Sequence, residues 1–207
     1  MLKKTGDQMD ALELATQAKK QNIIDMAVGF TAMMRLFQER SADLIKEKLA
    51  DLFEGLDRIS SDQDFSKMHR DFFQWFVKTI RLAKTEDPPS YGHPAKVLDL
   101  TLKVYVYYWK MPSPAKAESL ITRLNGAIDT PILRHLFKKL EDIYGRSYSR
   151  HLWTIKTIDK EDYDLLQKLI RQDIRDSFND NVLPVQYDDI MWRRLNRVPD
   201  SLDNRVM

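Results

Sequence analysis

"SYGHPAKVLDLTLKVYVYYW" occupies residues 90–109. From Val97 through Leu98, Leu100, Leu102, Val104, Tyr105, Val106, Tyr107 and Tyr108 it has almost no polar side. The pattern predicts a helix from about His93 to Trp109 that is apolar nearly all round, and a helix of that kind is buried. One lysine, Lys96, sits a single turn inside it. The helix dipole opposes a cation at that end and burial removes its water, so both effects lower the amine's pKa. An amine held partly neutral is a nucleophile that forms a Schiff base with a carbonyl or sugar aldehyde carbon. The ordinary alternative is a lysine whose stem lies along the helix while its head reaches water.

Further on, "AIDTPILRHL" (residues 127–136) places Asp129 directly before another helical pattern. Aspartate is a favoured helix cap and proline close behind it is a usual companion, so Asp129 alone reads as a cap. The flanking sequence is helical throughout. Residues 10–54 read as one long or two consecutive amphipathic helices, with Gly29 the expected break. Residues 55–67 read as a polar loop, after which Phe65, Met68, Phe72, Phe73, Phe76, Val77 and Ile80 mark a core-facing helix. "TEDPPSYG" (residues 85–92) interrupts the chain most strongly, because paired prolines and a glycine cannot continue a helix.

After that break Ser113 reads as a cap with Pro114 in the first turn, Asn125-Gly126 as a turn, and Asp159 with Glu161 and Asp162 as the start of another helix. A short helix from Tyr187 to Arg197 is expected last. The fold class is therefore all-α, a two-lobed multi-helix protein. Residues 1–84 form an N-terminal lobe, residues 85–198 a lobe carrying Lys96 and Asp129, and residues 199–207 a tail; the two lobes can also be one unit.

The 207 residues are 43% apolar and 31% charged, which fits a folded core rather than a disordered chain. The absence of cysteine excludes disulfides, thiolate metal sites and a cysteine nucleophile. The four histidines, His69, His93, His135 and His151, lack metal-ligand spacing, so no metal and no cofactor is expected. No apolar run suits a membrane span or leader, and a soluble cytoplasmic protein is expected. The net charge is only +2. Nucleic-acid binding would therefore need a local basic face, for which residues 134–139, 144–153 and 191–197 are the available stretches.

Taken together, "GHPAKVLDLTLK" and "AIDTPILRHL" resemble the helix-hairpin-helix DNA glycosylase superfamily, most closely its archaeal 8-oxoguanine glycosylase branch. The matched positions are Lys96 for the family's catalytic lysine and Asp129 for its aspartate, with Val97, Ile128, Thr130, Ile132 and Arg134 as context. "PPSYGHP" stands where the family has a glycine-rich hairpin that holds a DNA phosphate. The resemblance implies that Lys96 attacks C1′ of a damaged nucleotide while Asp129 stabilises the cationic sugar and helps deprotonate the lysine. The base would be flipped out of the stack. Tyr91, His93, Tyr105, Trp109, Arg134, Trp153 and Lys156 are the expected substrate-binding residues, and DNA or a nucleoside the expected partner. Segments 91–109, 128–133, 153–171 and 191–196 are also similar to a family of uncharacterised bacterial proteins. In that family Lys96, Asp129, Trp153 and Lys156 would belong to one constellation. A reading of another class is a helical interaction module of a bacterial multi-protein or defence system, with a protein partner and structural roles for Lys96 and Asp129. A third is nucleic-acid binding without catalysis.

Overall fold

Every residue of the helix that follows the proline break is buried except Lys96 and Leu100. This helix is α4 (Gly92–Leu102). In the computed structural model, residues 11–30, 34–144 and 154–196 are described, and among them there are eight α-helices and no strand. The others are α1 (Ala11–Phe30), α2 (Ser41–Glu54), α3 (Asp62–Thr79), α5 (Pro114–Ile121), α6 (Thr130–Tyr144), α7 (Lys160–Phe178) and α8 (Pro184–Asn196). α4 packs against α1, α3 and α7, so its lack of a polar side is matched by helices around it.

The apolar run does not continue as an α-helix to Trp109. From Lys103 to Tyr108 the chain widens into a π-helical turn, closed by the Trp109 N–H donating to the Val104 carbonyl five residues back at 3.1 Å. A π-turn brings residues five apart over one another. Here it places Lys103 and Tyr108 together on Asp189 of α8, the lysine at 2.5 Å and the phenol at 2.7 Å.

Two helix starts differ from the expectation, each for a local reason. α3 begins at Asp62, inside the stretch read as a loop, because Ser61 Oγ accepts from the Asp64 N–H and the Asp64 carboxylate accepts from the Ser61 N–H. That is a reciprocal capping box with aspartate in the place of glutamate. α8 begins at Pro184 rather than Tyr187, since proline's fixed φ and missing N–H suit a first turn. The Ser113 and Asp159 caps form as expected, the latter with Asp162. Gly29 lies inside the last turn of α1, which runs on to Phe30.

One hydrophobic cluster extends from Ile23 in α1 to Met191 in α8, on both sides of the proline break. Phe53 of α2 stacks on Tyr105 of the π-turn with ring centroids 3.9 Å apart. Asp173 of α7 joins the last helices: it accepts from Tyr187 Oη at 2.5 Å and Ser177 Oγ at 2.8 Å, and pairs with Lys139 and, at 3.0 Å, with His135. These donors hold its carboxyl well below the usual carboxylate range despite burial.

The glycine at the head of α4 is fixed by close approach. A Cβ at Gly92 would stand 2.3 Å from the Ile155 carbonyl oxygen and 3.2 Å from Ile158 Cβ. The segment preceding α7 therefore lies directly on the start of α4. Gly92→Ala should lower unfolding free energy by about 1–3 kcal/mol through overpacking against backbone, measured by urea denaturation. An unchanged midpoint would show that residues 154–158 move aside without cost.

Candidate functional site

Lys96 and Asp129, 33 positions apart in sequence, line one cleft of about 440 Å³ between α4, the π-turn, the start of α6 and α8. Helical geometry explains the lysine's position: Lys96, Leu100, Lys103 and Val104 fall on one face and all line the cleft. The Lys96 amine is partly buried, which pulls its pKa below the ordinary lysine value, while the nearby Asp129 carboxylate pulls the other way. Asp129 is the cap of α6, accepting the Ile132 N–H on Oδ1 at 3.1 Å. Its position beside the amine is thus set by the backbone turn that starts the helix.

The floor of the cleft is an ionic cluster. Lys103, itself buried, donates to Asp188 at 2.6 Å and to Asp189 at 2.5 Å. Burial opposes the charge on Lys103, but the two carboxylates outweigh it and hold the amine protonated. Burial pushes the Asp188 carboxyl up, with Lys103 opposing. Lys96, Lys103 and Arg193 face Asp129, Asp188 and Asp189, so the cleft is balanced in charge. Tyr108 and Trp192, both exposed, form its lip.

The remaining residues expected at the site lie elsewhere. Tyr91 is half-buried and lines a different cavity, its ring edge-on to Phe73 at 4.6 Å. His93 is buried, with Nδ1 2.9 Å from Ser90 Oγ, and burial lowers its pKa. Tyr105 is fully buried against Phe53, so it belongs to the core. Trp109 is exposed with the Lys19 amine 5.6 Å from its ring. Arg134 is exposed on α6, and Lys156 is exposed on the turn before α7. None of these six lines the Lys96 cleft. Trp153 lies outside the described residues. Of the basic stretches, 134–139 contributes exposed Arg134 and Lys138, whereas its Lys139 is paired to Asp173 and Asp176. Arg193 reaches the cleft, and Arg194 lies 4.9 Å from the Phe178 ring. Residues 145–153 and Arg197 lie outside the described residues.

Sequence reasoning passed over Asp99, Lys103, Asp188 and Asp189. A signal was present: Lys96, Asp99 and Lys103 are the charged residues of a helix with no polar face. Each must find a partner or water. Asp99 points away from the cleft, toward α7. Arg171 donates to Asn125 Oδ1 at 3.1 Å, Asn125 Nδ2 donates to Tyr163 Oη at 2.9 Å, and Tyr163 donates to Asp99 Oδ2 at 2.7 Å. Among the described residues the other Asp99 oxygen has no hydrogen-bond partner and lies 4.0 Å from His69 Nε2, which also has none. Burial pushes the Asp99 carboxyl up to about 8, against the Tyr163 bond, and lowers His69 to about 4. Both shifts favour the uncharged form. Leaving a buried polar atom without a partner costs about 1–3 kcal/mol.

Comparison with protein-family models, with curated proteins and with solved structures finds no match to this chain. Among the described residues, no helix is long and apolar enough to cross a membrane.

The buried carboxyl gives a signed pH dependence. Folded Asp99 keeps its proton up to about pH 8, whereas the free carboxyl titrates at 3.8. Between these values the folded state binds more protons, so this group's contribution to stability falls as pH rises from about 4 to about 8, then levels off. Asp99→Asn removes that slope. Urea unfolding at a series of pH values should show the variant gaining on the unsubstituted protein across the window. A difference independent of pH would mean that Asp99 is ionised in the fold.

Proposed function

We propose that the Lys96–Asp129 cleft is a Schiff-base-forming site of the DNA glycosylase and lyase type, acting on the sugar of a damaged or modified nucleotide. The observation that carries this reading is the meeting of a partly desolvated lysine amine and an aspartate, distant in sequence, in one cleft large enough for a single nucleoside. The balanced charge suits a base and sugar, with the phosphates left outside. Tyr108 and Trp192 at the lip offer flat apolar surfaces for an extruded base.

In this mechanism Asp129 takes a proton from the Lys96 ammonium, and the amine attacks C1′. The C1′–N bond to the base breaks, and the base leaves with the electron pair and the proton that Asp129 took. Opening of the C1′–O4′ bond, with a proton going to O4′, yields the protonated imine between Lys96 and C1′. Removal of a C2′ proton then expels the 3′ phosphate by β-elimination, cutting the strand.

Borohydride reduction of mixtures with oligonucleotides carrying 8-oxoguanine, uracil or an abasic site tests the reading. A covalent adduct should form, vanish in Lys96→Ala and fall about a hundredfold in Asp129→Asn, in line with loss of a general base. Asparagine also caps helices well, so the second variant removes charge while retaining the start of α6. No adduct on any of the three substrates overturns the proposal.

The exposure of Tyr108, Trp109 and Trp192 supports a second reading, a non-catalytic docking surface for a protein partner. In that case Lys96 is structural, and no substrate traps it.

A further inference from the structure

A second, larger cavity lies away from the Lys96 cleft. It measures about 870 Å³ and is bounded by α3, the end of α5 with the turn after it, and α7. Phe65, Phe73 and Tyr91 give it three aromatic walls. Its rim carries Arg70, Arg123, Lys160, Lys168 and Arg171 against only Asp62 and Asp164. The two acids are already paired, Asp62 with Arg123 at 2.7 Å and Asp164 with Lys160 at 2.5 Å. Arg171 is committed to the Gln167 carbonyl and to Asn125. Arg70 and Lys168 are left as exposed cations with no acidic partner among the described residues.

A polar group at depth accompanies this rim. His69, 8% exposed, lines the cavity, and its Nε2 has no hydrogen-bond partner among the described residues. A site with surplus cations at its mouth, flat aromatic walls and an unpartnered polar nitrogen below has the features that recognise a ring joined to an anion. Guanidinium and ammonium groups bind phosphate through charge-assisted bonds, and the volume lies within the range of small-molecule sites.

We infer that this cavity binds a phosphorylated, ring-bearing small molecule of the nucleoside monophosphate class, its phosphate on Arg70 and Lys168 and its ring against the aromatic wall of Phe65, Phe73 and Tyr91. The inference is independent of the chemistry proposed for Lys96, since none of these residues lines that cleft.

Isothermal titration of the full chain with adenosine monophosphate, guanosine monophosphate and uridine monophosphate tests it, with unphosphorylated adenosine and inorganic phosphate as separate arms. At least one of the three nucleotides should bind, with each separate arm about tenfold or more weaker, because each supplies only half of the recognition. Arg70→Glu and Lys168→Glu, both at exposed positions, should each weaken the nucleotide about tenfold or more through loss of a charged contact. Lys138→Glu, the same charge change on exposed α6, should leave affinity unchanged. Phe73→Leu, which removes a wall without altering charge, should weaken the nucleotide while leaving inorganic phosphate unaffected. Three results overturn the assignment: no binding by any nucleotide; equal binding by phosphate or adenosine alone; or equal weakening by Lys138→Glu and the two rim variants.

Discussion

A helix with no polar face is stable in water only when other elements enclose it, and α4 imposes that constraint on the rest of the chain. α1, α3 and α7 pack against it, and the π-turn that extends it meets α1 and α5. Enclosure then acts on the charged residues that α4 and its extension carry. Lys96 stays at the edge of a cleft, Lys103 is buried against two aspartates, and Asp99 is buried against a tyrosine. The three outcomes follow from one rule: a charge moved out of water is exposed, paired or neutralised. Three charged side chains are thus held on the helix that supplies the core.

That concentration divides the molecule into two environments. On one side of α4, positions 96, 100, 103 and 104 face a small, charge-balanced cleft completed by Asp129 and α8. Toward α7, Asp99 meets Tyr163 beside a larger cavity with a cationic rim. Asp129 and Asn125 come from the same short connection between α5 and α6. This connection supplies a carboxylate to the first environment and an amide to the second. Gln167 anchors it from α7 by bonding both the N–H and the carbonyl of Gly126.

Most of the fold was legible because helical periodicity and capping are local. The Ser113 and Asp159 caps, the break at residues 85–92 and the buried register of residues 97–106 each depend on neighbours within a few positions. The Ser61 capping box was missed because aspartate, rather than glutamate, closes it. The π-turn was missed because the carboxylates it meets, those of Asp188 and Asp189, lie 81 to 86 residues away. The site divided along the same line. Lys96 and Asp129 were legible as a pair through their flanking motifs. Tyr91, His93 and Tyr105 are aromatic neighbours of Lys96 in sequence, and rotation around the helix takes them to other surroundings. Asp99 has no local role, and only the arrival of α7 gives it one.

The bonds from Arg171 through Asn125 and Tyr163 to Asp99 all donate in the same direction, from the rim toward the core. Such alignment carries the influence of a surface cation inward, each dipole reinforcing the next. It does not carry protons, because an amide in the middle of the chain accepts on oxygen and donates from nitrogen with no atom doing both. Asp99 is therefore wired to the surface electrostatically but insulated from it protonically along this path. On its other side stands the imidazole of His69, 4.0 Å from the second carboxyl oxygen.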